Sequence, residues 1–281
     1  MARSVAVIGS TGKAGCQHVA AFLAQGWHVL PVNKGDKIPL DAVDAVSVCT
    51  PDGLHAEMVL AALAAEKHVF CEKPLCLTRM EIDSIVDAYN ATPAGVILTC
   101  NFPLRSVPEF KALRVPLSKG WFGRQVYIEL EYLKDMGDRL STGWRAETYG
   151  YSPMLAGGIH MVDLVCWMVG GYPGAKHYIA PSTKTTECVG MTFSEQLHVR
   201  VTTCLERGTV SMHSIKVFGS KHDYFSFQHQ QPGIGALIPN FVGAIEGREP
   251  LIVQAEEAIN ATAVCLKDDE ILPPGTHTAR H

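Results

Sequence analysis

Lys73 stands between an acid and a proline, directly after a strongly apolar stretch that ends in Val69-Phe70. The whole run reads Phe70-Cys71-Glu72-Lys73-Pro74-Leu75. In open α/β sheets ligands bind outside the carboxyl ends of the strands, so a turn there would present the lysine amine to a ligand. A desolvated lysine can exchange a proton with a substrate hydroxyl. The tripeptide alone more often belongs to a surface loop than to a catalytic turn, so a cofactor signal is needed beside it.

A glycine-rich turn near the N-terminus supplies that signal. The apolar run Ser4-Val5-Ala6-Val7-Ile8 leads into Gly9-Ser10-Thr11-Gly12-Lys13-Ala14-Gly15, and an apolar helical pattern of Val19, Ala20, Phe22 and Leu23 follows. Strand, turn and helix in this order predict a site for a dinucleotide pyrophosphate at the helix N-terminus. The spacing G-x-x-G-x-x-G departs from the commoner G-x-G-x-x-G, because Thr11 and Ala14 occupy two of its glycine positions. A tight strand-helix turn without a ligand is the alternative.

The elements around these motifs predict two domains. Strand and helix signals alternate over the first hundred residues, which predicts a parallel sheet. Beyond residue 102 apolar residues alternate with period two, which predicts one open, mainly antiparallel sheet with helices on a face. We therefore expect an α/β Rossmann-like domain over 1–102 and an α+β domain over 103–281. The predicted strands are 4–8, 28–32, 45–49, one ending at 70, 96–100, one around 126–132, 187–193, 196–205, 209–217 and 223–227; the predicted helices are 55–65, 78–90, 159–169, 239–246 and 255–266.

The composition is typical of a globular protein and indicates neither a nucleic acid nor a membrane partner. Of the 281 residues, 47% are hydrophobic, and the net charge is only −4 with no basic tract, so neither nucleic acid nor a membrane is an expected partner. We see no apolar run of about 18 residues and no signal-peptide layout, and we expect a cytoplasmic protein. The nine cysteines form no C-x-x-C pair, which favours buried free thiols. His213, His222 and His229 lack a metal-ligand spacing, and we assign no metal site.

Taken together the motifs resemble the glucose-fructose oxidoreductase and inositol dehydrogenase family (Gfo/Idh/MocA). The resemblance implies a dinucleotide-binding domain followed by a substrate-binding domain whose open sheet forms homo-oligomer contacts. It also implies hydride transfer between NAD or NADP and a hydroxyl-bearing carbon of a sugar, cyclitol or nucleotide sugar. Besides the glycine turn, it rests on Asp44-Ala45-Val46, Thr50-Pro51, His55-Ala56-Glu57, Lys67-His68-Val69-Phe70-Cys71-Glu72-Lys73-Pro74-Leu75, Trp144-Arg145, Gly158-Ile159-His160, Asp163-Leu164 and Trp167.

The resemblance also implies roles for individual residues. Lys73 and His160 correspond to the catalytic pair, with His160 as proton acceptor; from pattern alone His160 is a core residue of an apolar helix. We expect Asn101, Arg105, Arg145 and Asp163 to contact substrate, although an interdomain salt bridge suits Arg105 and a helix-face acid suits Asp163. The expected cofactor-binding residues are Gly9, Ser10, Thr11, Gly12, Lys13, Ala14, Asn33, Lys34, Thr50, Pro51, His55, Glu72 and Lys73.

Two positions depart from the family pattern. Many members carry an aspartate four residues before the catalytic histidine, where this chain has Ala156. Only twelve residues, 33–44, connect the second and third strands, too few for a helix-strand-helix, so we expect the parallel sheet to lack an edge strand. A catalytically silent cofactor-binding regulator or scaffold is therefore the alternative to an enzyme.

The same short connection bears on which dinucleotide binds. Asn33 stands eighteen residues after Gly15, where NAD-specific members carry an acid for the ribose hydroxyls, and Lys34 follows it. An amide beside an ammonium tolerates a 2′-phosphate better than a carboxylate does. The sequence thus predicts that NADP binds at least as well as NAD, with a solvated surface lysine as the alternative for Lys34.

Overall fold

The computed structural model describes residues 3–148, 151–179, 183–228 and 232–266, and it divides the chain into two compact units. The first unit contains the chain up to Ser106 together with Pro232–Ile259. The second unit begins at Val107 and includes the described residues after Ile259. Our division at 102/103 assigned everything after residue 102 to one domain. The structure instead returns 232–259 to the first unit.

The first unit is built on five parallel strands in the order β2-β1-β3-β4-β5. Each predicted strand is present, because each is a short apolar run bounded by a turn. No strand lies beyond β2 in the part of the chain that the structure describes, and the connection after β2 holds only a 3₁₀ turn at Leu40–Ala42. The prediction of a missing edge strand is thus confirmed. The strands are β1 Ser4–Ile8, β2 His28–Val32, β3 Ala45–Val48, β4 His68–Cys71 and β5 Leu98–Cys100.

Three helices connect these strands: α1 Lys13–Ala24, α2 His55–Ala64 and α3 Arg79–Ala91. A capping box fixes the start of α3, in which the Thr78 hydroxyl accepts from the Glu81 amide and the Glu81 carboxylate accepts from the Thr78 amide. In α1 the apolar pattern of the sequence coincides only in part with the buried face. Leu23 is 57% exposed, whereas His18 and Phe22 are fully buried, because a helical face recurs every three or four residues.

The returning segment 232–259 completes the core of the first unit. It contains α7, Ile238–Ile245, and the start of α8, Ala255–Cys265. The Phe241 ring lies 6.3 Å from Phe22 and 5.4 Å from Phe70, and all three side chains are buried. The Thr99 hydroxyl also donates to the carbonyl of Val253 at 2.8 Å. These contacts explain why the first unit is discontinuous in sequence.

The second unit contains a six-stranded sheet in the order β11-β10-β6-β9-β8-β7. Only β6 and β9 are parallel, so the sheet is mainly antiparallel, as predicted. The sequence interpretation missed β7 and did not place α4. The strands are β6 Val126–Leu133, β7 Ala175–Tyr178, β8 Thr186–Ser194, β9 Leu197–Cys204, β10 Met212–Gly219 and β11 Asp223–Gln228; the helices are α4 Pro108–Ser118, α5 Gly143–Glu147, a π-helix at Met154–Gly158 and α6 Ile159–Val169.

The two faces of this sheet differ in burial. Along β6, Ile128, Leu130 and Tyr132 are buried, whereas Tyr127 on the opposite face is exposed. No helix among the described residues is long and apolar enough to cross a membrane. Searched over the same residues, no cluster of three or more His, Cys, Asp or Glu side chains is placed to hold a metal ion, and His229 lies outside them.

Candidate functional site

The glycine turn after β1 is shaped so closely that two of its positions admit only glycine. A Cβ atom on Gly9, whose φ is +83°, would lie 2.6 Å from the Cys49 carbonyl oxygen, and one on Gly15 would lie 2.1 Å from the Gly9 carbonyl oxygen. Gly12 precedes α1 with no side-chain cap, and the first turn of α1 carries no acid. The first amides of α1 are therefore available to an anion, as the sequence predicts.

Asn33 holds this turn in place from the end of β2. Its amide oxygen accepts from the Ser10 hydroxyl at 3.1 Å, the Thr11 hydroxyl at 2.9 Å and the Thr11 amide at 3.2 Å. Lys34 is exposed, as is Lys13, and Ala14 is half-buried. Asn33 thus shapes the turn, and its side-chain oxygen is engaged there.

Thr50 and Pro51 follow β3 at the same edge of the sheet. The Thr50 hydroxyl oxygen is buried and has no hydrogen-bond partner among the described residues. His55 is fully buried; its Nδ1 lies 2.6 Å from the Pro74 carbonyl oxygen and its Nε2 lies 3.0 Å from that of Thr50. His55 therefore lies between the turn after β3 and the turn after β4, with each ring nitrogen within hydrogen-bond distance of a carbonyl oxygen.

Glu72 and Lys73 directly follow β4, and the Lys73–Pro74 peptide is cis. The Glu72 carboxylate accepts from His18 Nε2 at 3.0 Å and from the Asn101 amide at 2.7 Å. Burial alone raises the pKa of a carboxylate. Here the hydrogen bonds from His18 and Asn101 and the nearby charge of Lys73 outweigh it, and the pKa of Glu72 is lowered. Lys73 is thus adjacent to a fixed, negatively charged side chain.

The sequence interpretation missed His18, which joins this group to β3. His18 Nδ1 lies 2.8 Å from the Ser47 hydroxyl and 3.1 Å from the Cys49 sulfur. Burial, followed by the charge of Glu72, raises the pKa of the Cys49 thiol well above its usual range, so the sulfur stays protonated at neutral pH. One signal could have identified His18: it is three residues after Gly15 and four before Phe22, on the buried face of α1.

Two predicted substrate residues are engaged inside the first unit. Asn101 is buried, and its amide nitrogen donates to the Ile234 carbonyl at 2.7 Å as well as to Glu72. Arg105 is 1% exposed and donates to Glu257 at 2.6 Å and to the Ile252 carbonyl at 3.2 Å. The salt-bridge alternative for Arg105 is therefore observed, although both partners belong to the first unit. Neither side chain presents its charge or amide nitrogen to solvent.

The second unit carries His160 at the start of α6, immediately after the π-helix. Its ring stacks on Tyr132 at 5.6 Å between centroids, and Tyr132 in turn contacts His213 at 4.8 Å. A Cβ atom on Gly157 would lie 2.6 Å from the Tyr132 ring, so this glycine permits the close approach of the helix to β6. Single π turns inside helices often mark functional sites. Ala156 belongs to this turn and is half-buried.

Asp163 and Arg145 differ sharply in exposure. Asp163 is fully buried on α6, which supports the structural alternative for this acid. Arg145 is half-buried on α5, with its guanidinium 4.1 Å from the centre of the Trp144 ring. Its Nε atom has no hydrogen-bond partner among the described residues. Of the four predicted substrate residues, Arg145 is thus the one with a half-exposed side chain.

Comparison with known proteins gives three kinds of match. Residues 20–102 match the Gfo/Idh/MocA oxidoreductase family, which has an NAD-binding Rossmann fold. The chain is 38% identical over 117 residues to the 1,5-anhydro-D-fructose reductase of Ensifer adhaerens, a match covering 42% of this chain and 33% of that protein. The chain therefore aligns with about a third of the length of this relative.

Solved structures extend the likeness in fold to almost the whole chain. The myo-inositol 2-dehydrogenase of Lactobacillus plantarum superposes with a TM-score of 0.78 at 18% identity, covering 94% of this chain and 95% of that one. The WlbA dehydrogenase of Bordetella pertussis, solved with NADH and UDP-GlcNAcA, gives 0.74 at 17% identity, covering 94% of both chains. At these identities the likeness concerns the fold alone. Residues 20–102 thus carry the sequence pattern of the Gfo/Idh/MocA family's NAD-binding domain, and the fold of almost the whole chain is that of these dehydrogenase structures.

Proposed function

We propose that the protein is an NAD(P)-dependent oxidoreductase that moves a hydride between the nicotinamide and a hydroxyl-bearing carbon of a sugar, cyclitol or nucleotide sugar. One observation carries the proposal: Lys73 lies at the carboxyl end of β4, beside a carboxylate that His18 and Asn101 hold in place. The glycine turn is in the same unit. Both features are found where α/β sheets bind their ligands.

The residues of the first unit fit a dinucleotide. The close approaches at Gly9 and Gly15 leave room for backbone amides to reach a pyrophosphate, and α1 begins without a side-chain cap. The buried Thr50 hydroxyl has a hydrogen-bonding capacity that no described residue uses. Ser10, Thr11, Gly12, Lys13 and Ala14 would surround the phosphates, and Thr50 and Pro51 would border the nicotinamide half. When bound, the cofactor supplies the hydride chemistry.

The side chains of this protein then handle the proton. Oxidation of a secondary alcohol requires a base for the hydroxyl proton and a cation that steadies the developing carbonyl oxygen. The Lys73 ammonium suits the second role, and its charge is near enough to Glu72 to help lower the pKa of that carboxylate. We assign the first role to His160, because an imidazole titrates near neutral pH and the Tyr132 ring fixes the plane of this one.

Arg145 supports a substrate with an anionic or strongly polar group. Its guanidinium lies over the Trp144 ring, and its buried Nε has no hydrogen-bond partner among the described residues. A guanidinium with unused donors can pair with a carboxylate or phosphate. The similar proteins include a 1,5-anhydro-D-fructose reductase, a myo-inositol 2-dehydrogenase and a dehydrogenase solved with UDP-GlcNAcA. We place the enzyme in the cytoplasm, which the nine free cysteines support.

A regulator that binds the cofactor without turnover is the second candidate. Ala156 favours it, because a carboxylate partner for His160 is missing from that position, and so does the shortened sheet. Incubation with NAD or NADP and a panel of polyols, sugar acids and nucleotide sugars separates the two. Reduced nicotinamide is measured by its absorbance, and its appearance with any substrate establishes that the protein is an enzyme. Cofactor binding without turnover across the panel favours the regulator.

Lys73→Met and His160→Asn test the catalytic assignment. Each should lower turnover about 100-fold to 10,000-fold while cofactor affinity changes little, because removing a positioned acid or base costs about that much. Lys67→Met, at the opposite end of β4, is the matched control and should retain wild-type turnover. Near wild-type activity in the Lys73 or His160 variant would refute the role of that residue.

The open face of the sheet in the second unit supports a homo-oligomer. Exposed aromatic side chains of three neighbouring strands cluster there: Tyr127 and Phe218 stack at 6.2 Å, and Phe218 lies 5.4 Å from Phe225. Phe227 adds a fourth exposed ring. Beside them Arg200 and Lys216 pair with Glu129 at 2.7 Å and 3.6 Å. An apolar patch with a polar rim is typical of a surface that a second protein subunit covers.

A further inference from the structure

The chain makes a tight turn immediately after β2. The amide of Asp36 donates to the carbonyl of Asn33 at 3.0 Å, and Gly35 has a φ of +93°, as the third residue of a type II turn requires. The turn brings the Asp36 carboxylate back to the end of the strand, where it accepts from the backbone amide of Asn33 at 2.8 Å. Asn33 is itself bonded to Ser10 and Thr11 of the glycine turn. An acid is therefore present at the end of β2, three residues later in sequence than expected.

We propose that Asp36 determines the choice of dinucleotide and makes this protein select NAD over NADP. The inference rests on the proposed function only in requiring that a dinucleotide bind at the glycine turn. In this fold the end of β2 receives the adenosine ribose, whose hydroxyls donate to an acid in NAD-binding members. The Asp36 carboxylate occupies that end of the strand, and its second oxygen has further acceptor capacity. A 2′-phosphate would instead meet a like charge.

Lys34 is the competing charge in the same turn. It is exposed, and no described side chain or carbonyl is bonded to it in the structure, whereas a 2.8 Å hydrogen bond fixes the Asp36 carboxylate to the backbone. A fixed charge acts at a defined distance, while a mobile, solvated one is screened. The structure thus reverses the preference for NADP that the residue types Asn33 and Lys34 suggest.

Titration calorimetry with NAD and NADP, at low and high salt, tests the inference without any substrate. NAD should bind at least about tenfold more tightly than NADP at low salt, because a hydrogen bond to a charged acceptor contributes about that much. High salt should narrow the difference, since it screens repulsion of the 2′-phosphate. In Asp36→Asn, which keeps an acceptor for the Asn33 amide, the ratio of the two affinities should shift at least about fivefold towards NADP.

Two control variants isolate the effect of Asp36 on the ratio of the NAD and NADP affinities. Asp41→Asn removes another exposed acid from the same connection and should leave the ratio unchanged, as should Lys34→Ala. Equal affinities, a preference for NADP, or an unchanged ratio in Asp36→Asn would overturn the role of Asp36 while leaving the cofactor assignment intact. Absence of binding by both dinucleotides would overturn the proposed function itself, and this inference with it.

Discussion

Glu72 connects structure to chemistry at the scale of single residues. Its carboxylate can only accept, so His18 Nε2 carries a proton, and Nδ1 lies within hydrogen-bond distance of the Ser47 hydroxyl and the Cys49 thiol. One carboxylate thereby orients the ring of a buried histidine and the side-chain amide of Asn101. Buried hydrogen-bond networks of this kind are rigid because each member left unsatisfied would cost about 1–3 kcal/mol.

His213, on β10, gives a prediction about pH. Burial, followed by the charge of Lys134, lowers the pKa of this histidine from 6.5 to about 4. At pH values between 4 and 6.5 the unfolded chain binds a proton on this histidine that the folded protein does not. The contribution of His213 to stability is therefore fully present above pH 6.5 and is lost as the pH falls towards 4. The loss attributable to His213 is about 3 kcal/mol. Urea unfolding at a series of pH values should show this decline, and His213→Gln should remove most of it.

His28→Gln is the control, because His28 is exposed on β2 and should not alter the slope. An identical pH dependence in wild type and His213→Gln would show that other groups cause the acid sensitivity.

At the scale of elements, the turns that follow the strands form the site. The turns after β1, β2, β3 and β4 are connected by hydrogen bonds: Asn33 joins the first two, and His55 joins the last two. Such connections hold irregular backbone in one conformation without adding a helix or strand. Glycine is required where two of these turns approach within contact distance.

Gly15→Ala should disrupt the glycine turn. The new methyl group would lie 2.1 Å from the Gly9 carbonyl oxygen, which neither backbone segment can avoid without shifting. We expect stability to fall by about 1–3 kcal/mol and dinucleotide binding to be lost, measured by urea unfolding and calorimetry. Gly53→Ala is the matched control, since its methyl group would only contact the Leu77 side chain at 3.7 Å. Unimpaired cofactor binding by Gly15→Ala would mean that the pyrophosphate lies elsewhere.

At the scale of the whole molecule, each unit has its own sheet, and the two sheets serve different purposes. The first is closed in by helices and by the returning segment 232–259. The second leaves one face open, with Phe225 53% exposed. An exposed apolar face is typical of a surface that a second subunit covers.

Phe225→Asp should therefore weaken self-association. A charge at this position would have to be desolvated in an interface, which costs several kcal/mol. Sedimentation velocity should show an oligomer for the wild type and a smaller species for the variant. Val115→Asp, an equally exposed apolar position on α4, should leave the oligomer unchanged. A monomeric wild type would refute the proposed assembly.

The alternation of elements in the first unit, the glycine turn, the position of Lys73 after β4 and the missing edge strand were predictable from the amino-acid pattern. These features are local: apolar runs, turn residues and the length of one connection suffice to predict them. The apolar pattern of α1 did not identify its buried face, because Val19, Ala20 and Leu23 are apolar without being buried, whereas polar His18 is buried with a partner.

Which of the predicted residues have side chains engaged in internal contacts depends on the tertiary structure. Arg105 meets Glu257 across 152 residues of sequence, and His18 meets Glu72 across 54. Asp36 reaches its strand end through a turn that no apolar pattern reveals. Such contacts depend on how distant segments close on each other, and periodicity along the chain carries no information about that closure. For the same physical reason the return of 232–259 to the first unit could not be predicted from the residues that make it.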